Sequence, residues 1–458
     1  MTKLTTNKIF LSPLESIGNR DNETINYYSL NHNAPKATFA EATIKGQAPD
    51  KGLYFPRYIP ALPKGFIENI RDYSKEEIGV AVMKPYVANS IPPEVLERII
   101  AETVNFDFPL VKVSDDIYSL ELFHGPTLAF KDVGARFMSR CLGYFNRNSK
   151  QHTTVLVATS GDTGGAVANG FLGVEGVDVV ILYPSGKVSP IQELQLTTLG
   201  QNISALEVQG TFDNCQAMVK QVFMDADLNK KLSLTSANSI NVARWLPQQL
   251  YYFYAYQQWQ HDQPPVISVP SGNFGNICAG LVAYLSGLPV KHFIAACNAN
   301  DVVPDFLQTG EYKARPPVST ISNAMDVGNP SNFVRIMEMF SQKIGNLRRV
   351  LTSYSVDDIT TEQTIKSVFR EHAYMTDPHG AVGYYALNEY LQQHEDLKGI
   401  FLETAHPVKF PDVVERATNT RIPFPENVQH LTKSQKKSIL MSPDFESLKE
   451  WLMNRPRY

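Results

Sequence analysis

The chain has 458 residues, of which 43% are hydrophobic and 19% charged, with a formal net charge of -4. That length allows roughly two to three domains around a large core, and the composition is that of an ordinary globular protein. A small negative charge gives no long-range attraction to nucleic acid or anionic membrane, and no window approaches the ~20 apolar residues that a membrane-spanning helix needs.

Residues 1 to 25 are polar and without periodicity, and read as an N-terminal extension. They hold no apolar core of the secretory type, so no secretory signal is expected. Phe39 to Ile44 reads as a short helix, followed by a turn-rich stretch from Gly46 to Pro56. Ser74 to Lys84 and Pro93 to Val104 read as amphipathic helices. Ser74 with Glu77 forms a capping box, and Pro85 is expected to stop the first of the two. Strand signal is sparse here, and residues 26–105 are taken as a small N-terminal domain.

Beyond it the pattern alternates. Thr153 to Ala158, Val177 to Pro184, Ser204 to Val208, Val266 to Pro270, His292 to Ala296 and Gly399 to Leu402 are short apolar runs with the composition of buried strands. Helices are predicted over Ala166 to Leu172, Ile191 to Leu199, Phe212 to Leu228, Val242 to Gln260 and Ile277 to Leu285. Strand, loop and helix in repetition argue an α/β fold whose mainly parallel sheets are covered on both faces. This region is taken as residues 106–415, in two subdomains, with a C-terminal helical segment over 416–458. In the tail, Ser442 suits an N-cap and Pro443 the first helical position.

The four cysteines, Cys141, Cys215, Cys278 and Cys297, show neither CxxC nor metal-ligand spacing. Buried free thiols are expected, which suits a reducing cytoplasm. No HExxH, P-loop or Gly-x-Ser-x-Gly elbow is present.

Two loops share the pattern S-G-[D/N]-x-G: Ser160-Gly161-Asp162-Thr163-Gly164 and Ser271-Gly272-Asn273-Phe274-Gly275. Each lies between an apolar strand and a helix of small residues. Glycine lets the backbone approach an anion closely, and the following helix offers free N–H groups and the positive end of its dipole. The dipole contributes only about 0.3–1 kcal/mol per charge, so direct hydrogen bonds must hold the anion. Either loop alone is an ordinary strand-to-helix connection. Two together, at the carboxyl ends of strands, mark a ligand site.

A third stretch, Leu122-Phe123-His124-Gly125-Pro126-Thr127-Leu128-Ala129-Phe130-Lys131-Asp132, sets a lysine in an apolar frame. Most lysines are surface charges. Burial disfavours the ammonium form, however, and turns a lysine into a nucleophile or Schiff-base partner. A buried amine with two anion grips is what a pyridoxal-phosphate enzyme acting on an amino acid requires: one grip for the cofactor phosphate, one for the substrate carboxylate.

At this point the motifs resemble a known family. The Phe123–Asp132 segment resembles the cofactor-lysine segment of the threonine synthase family, bacterial and fungal type. Ala158 to Gly164, Asn238-Ser239-Ile240-Asn241, Asp377 to Gly383 and Thr404-Ala405-His406-Pro407 are similar to other segments of that family, in order. The Phe39 to Pro56 stretch resembles its N-terminal domain. The likeness runs roughly from Asn26 to Phe410.

The resemblance implies the tryptophan-synthase β-like fold (fold type II) and the cofactor pyridoxal 5'-phosphate. It implies that Lys131 carries the cofactor, that Gly272, Asn273, Phe274, Gly275 and Asn276 hold its phosphate, and that Thr404 faces its ring nitrogen. The loop Thr159, Ser160, Gly161, Asp162, Thr163 matches the grip on the substrate carboxylate. A carboxylate at Asp162 would repel that group, so the grip is assigned to backbone N–H groups and hydroxyls, leaving Asp162 to cap the helix. The implied activity is that of a carbon–oxygen lyase acting on phosphate, in threonine biosynthesis: O-phospho-L-homoserine and water give L-threonine and phosphate by γ-elimination and β-addition of water. Lys131 then also moves protons along the substrate. The second phosphate needs a cation, and Lys187 and Arg244 are the candidates.

Among the histidines, His379 and His406 read as structural, and His124 is open. The aromatic run from Trp245 to Trp259 reads as core or subunit interface, and Lys433, Lys436 and Lys437 as a solvated face. A small molecule is the expected partner, for a monomer or homodimer. Alternatives are a dehydratase or phosphothreonine lyase of the same fold, a non-catalytic regulatory relative, and a dinucleotide-binding protein. Against the last, neither loop reads GxGxxG.

Overall fold

The computed structural model describes residues 25–147 and 152–455. All but residue 25 of the expected N-terminal extension therefore lie outside the described residues. In chain order the strands are β1 (Tyr27–Ser29), β2 (Tyr54–Pro56), β3 (Leu110–Lys112), β4 (Ile117–Glu121), β5 (Thr153–Ala158), β6 (Val177–Pro184) and β7 (Ile203–Val208). They continue with β8 (Ser233–Ser236), β9 (Val266–Pro270), β10 (His292–Cys297), β11 (Leu351–Ser355), β12 (Gly399–Glu403) and β13 (Ile439–Met441).

Two sheets organise the molecule. One has the order β11-β10-β9-β12-β4-β3, the other β13-β7-β6-β5-β8. Every pairing in them is parallel except β3 with β4, an antiparallel edge. The α/β fold with mainly parallel sheets is thus present. β5, β6, β9 and β12 are buried at every position, as expected of strands covered on both faces. The parallel strands put their carboxyl ends, and the loops that follow them, around one cleft.

β1 and β2 form a small antiparallel sheet of their own, in a region where the sequence carries little strand signal. Tertiary contacts fix it. Tyr27 is fully buried and its hydroxyl donates to Tyr86 O, while the Phe55 ring stacks on Trp245 at 6.0 Å. One buried apolar cluster runs from Ile25 to Leu402, so the N-terminal stretch shares its core with the sheets.

The helices depart from expectation at their ends. The capping box of Ser74 and Glu77 is present, but the helix runs Lys75–Val87 with Pro85 inside it. A proline so near the end interrupts little of the hydrogen-bond ladder, and the burial of Met83, Tyr86 and Val87 holds the last turn. Phe212 to Leu228 is two helices, Phe212–Met224 and Ala226–Lys231, divided at Asp225, which caps the second. The aromatic stretch breaks at Pro247 into Val242–Trp245, a tight turn over Leu246–Gln248, and Gln249–Gln258. Trp245 and Trp259 are core residues. The final helix starts at Phe445, with Asp444 and not Ser442 as its N-cap. The stronger carboxylate acceptor wins the cap, and Pro443 falls outside the helix. The expected helical tail also contributes β13.

Candidate active site

The lysine segment leaves β4 and is strapped to the segment that leaves β12. Leu122 N donates to Glu403 O at 3.0 Å, Phe130 N to Thr404 O at 2.9 Å, and His406 N to Leu128 O at 3.0 Å. The strap forces Leu128 to a φ of +58°, rare for a bulky residue and tolerated here because three hydrogen bonds fix it. Below, Asp132 accepts from the Thr127 amide at 2.9 Å and its hydroxyl at 2.6 Å. Gly125 is required there, since a Cβ would overlap Asp132 Oδ2. Lys131 opens the helix Lys131–Asn146, with its side chain only 16% exposed. Burial holds its amine below the ordinary lysine value, with nearby Lys409 and Arg244 acting in the same direction and Asp162 against it.

After β5, Thr159 Oγ1 accepts from the amides of Gly161 and Gly164 at 3.0 and 2.9 Å and so shapes the loop. Among the described residues, nothing accepts from the amides of Ser160, Asp162 and Thr163. The N-cap is Gly161, at a φ of +136°, and no side chain caps this helix. The expectation that Asp162 does so is therefore wrong. Its carboxylate is buried and engaged elsewhere, 2.7 Å from Lys409 Nζ and 3.6 Å from Lys131 Nζ, with Gln192 Nε2 donating at 2.9 Å. Burial pushes this carboxyl up, but Lys409 and then Lys131 outweigh that and hold it well below the usual carboxylate range.

After β9, Phe274 takes a left-handed φ of +61° and leads into the helix Gly275–Leu285. Gly272 passes so close to the segment after Asn323 that a Cβ would lie 2.7 Å from Met325 Cα. Among the described residues, nothing accepts from the amides of Gly272, Asn273, Phe274, Gly275 and Asn276. The side chains serve the frame: Asn273 Oδ1 accepts from Ser331 Oγ, and Asn276 Nδ2 donates to Pro270 O.

Both loops, Lys131 and Thr404 line one cavity of about 500 Å³, a size suited to a small ligand. Arg244 lines it too, 3% exposed. Its Nε donates to Ala237 O and its Nη1 to Lys131 O, and no carboxylate pairs with it among the described residues. Burial pushes its guanidinium down to about 10. Lys187 is not brought to the cavity. It is exposed in the turn after β6, next to Gly186 at a φ of +66°, and is absent from the cavity lining. His124 also lies outside, against Glu121 at 2.7 Å, as does His406, whose Nδ1 accepts from Val408 N. The lysines at 433, 436 and 437 are exposed, with Lys436 paired to Glu193 and Glu207.

Sequence reasoning missed Lys409, Gln192 and Arg335, and did not place His379 at the cavity wall. His379 Nδ1 lies 2.7 Å from Asp377 Oδ2, and its Nε2 accepts from Ala324 N. For Lys409 a signal existed: Pro407-Val408-Lys409 sets a lysine behind apolar residues, as Ala129-Phe130-Lys131 does.

Residues 109–400 match the family profile described as pyridoxal-phosphate dependent enzyme, 26–104 that of the threonine synthase N terminus, and 380–452 that of the threonine synthase C-terminal region. Over 431 residues the chain is 42% identical to the threonine synthase of Haemophilus influenzae, covering 94% of this chain and all of that one. The chain belongs to the threonine synthase family. The crystal structure of the Escherichia coli threonine synthase superposes with a TM-score of 0.87 at 42% identity, covering 94% of this chain and 99% of that one. A pyridoxal-phosphate-bound threonine synthase from Brucella melitensis gives 0.88 at 34% identity, again with 94% and 99% covered.

The cofactor of this family is pyridoxal phosphate, and the residues present fit it. The amides of residues 272–276, at a helix N-terminus, would take the phosphate. Lys131, an amine of lowered proton affinity, would meet the aldehyde. The hydroxyl of Thr404, in the same cavity, would be an uncharged partner for a ring nitrogen, one that does not demand a protonated ring.

Proposed function

We propose that this chain converts O-phospho-L-homoserine and water to L-threonine and phosphate. One observation carries the substrate assignment. Arg244 is a buried cation without a carboxylate partner among the described residues, in the same cavity as Lys131 and the two amide-lined loops. A buried unpaired guanidinium is costly on its own, and a substrate phosphate supplies the missing counter-charge in bidentate geometry. The cavity thus offers three anion sites: residues 272–276 for the cofactor phosphate, the amides of Ser160, Asp162 and Thr163 for the α-carboxylate, and Arg244 for the substrate phosphate.

When bound, pyridoxal phosphate supplies the electron sink that such carbon–hydrogen bond breaking needs. Lys131 anchors it, and once released takes the protons at the substrate Cα and Cβ and returns protons at Cγ and Cα, while water supplies the hydroxyl at Cβ. Thr404 and the strapped lysine segment fix the orientation. The enzyme works in the cytoplasm, a reading supported by four buried free thiols, as a monomer or homodimer. No helix among the described residues is long and apolar enough to cross a membrane.

The test is to supply the holoenzyme with O-phospho-L-homoserine and measure phosphate, threonine and 2-oxobutyrate together. Phosphate and threonine in equal amounts are expected. Product dominated by 2-oxobutyrate, or no release of phosphate, overturns the reading. Arg244→Lys should raise KM for the substrate about tenfold or more, the loss of a bidentate phosphate contact; an unchanged KM removes Arg244 from the phosphate site.

A further inference from the structure

Lys409 is fully buried at the end of the short turn Pro407–Lys409. Its Nζ donates to Thr127 O at 2.8 Å and lies 2.7 Å from Asp162 Oδ1. Gln192 Nε2 donates to the same oxygen. The other oxygen, Oδ2, is left to Lys131 at 3.6 Å. One carboxylate therefore stands between two lysines, and one of them is sealed from solvent. Lys409 also ties three separate segments together: the lysine segment through Thr127, the helix after β5 through Asp162, and the chain leaving β12 through its own backbone.

This arrangement solves a charge problem. A bare carboxylate 3.6 Å from Lys131 would favour the ammonium form, which neither attacks an aldehyde nor accepts a proton. A bare cation in its place would favour the free amine but give it no partner to aim at. The charged groups facing Lys131 are Asp162 from the helix after β5, Lys409 from the turn after β12, and Arg244 from the helix Val242–Trp245. Asp132, next in the chain, is held by Thr127. His379, Asp326 and Arg315 line the wider cavity, Arg315 in ion pairs with Asp301 and Asp305.

We propose that Lys409 is a positioning residue that fixes the Asp162 carboxylate against Lys131 and cancels its charge, so that the Lys131 amine has a directional partner without being locked as an ammonium ion. This rests on the reading of Lys131 as the reacting amine. Its test does not need that reading to hold, because it measures the amine itself.

The measurement is the pH dependence of reductive methylation at Lys131 in the full-length, cofactor-free protein, read by peptide mass spectrometry. Lys409→Met leaves Asp162 uncompensated, and the midpoint should rise by about one pH unit or more. Asp162→Asn leaves Lys409 uncompensated, and the midpoint should fall by a similar amount. The double variant Lys409→Met/Asp162→Asn should return towards the parent, and Lys409→Arg should stay near it. In the holoenzyme, Lys409→Met should lower kcat at neutral pH with KM less affected and move the rate profile to higher pH. Midpoints of the two single variants that move in the same direction, or that do not move at all, overturn the proposal. Should Lys409→Met fail to fold, the fall in Asp162→Asn and its reversal in the double variant decide the matter. If those changes appear while Lys131 proves not to carry the cofactor, the charge pairing stands and the functional reading of Lys131 fails.

Discussion

Gly380 and Glu403 are packed so closely that a Cβ on residue 380 would overlap Glu403 Oε2. Glu403 ends β12 and Gly380 lies in the first turn of the helix Pro378–Gln392. Asp377, the N-cap of that helix, donates its own amide to Glu403 Oε1. Burial, and then the charge of Asp377, push the Glu403 carboxyl well above its ordinary value. The pair therefore sets a carboxyl of raised proton affinity against a helix terminus, directly before Thr404. Neither group can retreat, since both are buried. Gly380→Ala should destabilise the protein by about 3 kcal/mol or more, at the upper end of overpacking, as a drop in thermal midpoint. The double variant Gly380→Ala/Glu403→Ala opens the space and should recover part of the loss. A fully stable single variant would show that the contact relaxes freely.

Arg335 joins the N-terminal sheet to the cavity wall. Its guanidinium donates to Ser239 O and Tyr54 O at 3.0 Å each, to Ile240 O at 2.6 Å and to Asn332 Oδ1, and it lies over the Trp245 ring at 4.7 Å. Arg335→Met would fill a similar volume but orphan four acceptors. Each unsatisfied buried group costs about 1–3 kcal/mol, with partial relief by water. On that scale a loss of about 4 kcal/mol or more is expected, read as a lower urea midpoint. The N-terminal stretch should become protease-sensitive first, because Tyr54 O loses its tie to Ser239 and Ile240.

Lys187 is exposed after β6 and is absent from the cavity lining. Lys187→Ala should leave kcat and KM for the phosphorylated substrate unchanged within about twofold, since an exposed charge outside the cavity touches neither phosphate. A tenfold rise in KM would place it at the site after all.

How much was legible in the sequence follows from the physics of each signal. β5, β6 and β9 were readable because a strand buried on both faces must be a continuous apolar run. β3, β11 and β13 were not, because they are short or partly exposed at sheet edges. β1 and β2 owe their pairing to Tyr27, Phe55 and their distant partners. At the site, Lys131 and both glycine loops announced themselves through local chemistry. Lys409 carries a similar local signal, a lysine behind apolar residues, but its meaning lies in a contact to Thr127 across 282 residues of chain. Asp162 was misread for the same reason: local pattern says helix cap, and only the tertiary partner makes it a counter-ion.

Two half-buried histidines set an acid limit on stability. Burial, then His124, bring His406 down to about 4 despite the opposing charge of Glu121, and burial, then His394 and Lys291, bring His292 down to about 4. A free histidine titrates near 6.5. Between those values the unfolded chain binds protons that the folded chain refuses, so stability falls as pH drops from about 6.5 towards 4. Above about 6.5 both rings are neutral in either state and the full contribution is present. For His406 the loss amounts to about 3 kcal/mol at most, since each tenfold drop in proton affinity on folding is worth about 1.4 kcal/mol. His406→Asn keeps an acceptor for the Val408 amide, which His406 Nδ1 now provides at 3.1 Å, and removes the titration. Chemical unfolding of the parent and of His406→Asn at a series of pH values should give a shallower acid slope in the variant, with stabilities converging above pH 6.5. Adding His292→Gln should flatten the slope further. Parallel curves for parent and variants would mean that neither ring resists protonation in the folded state.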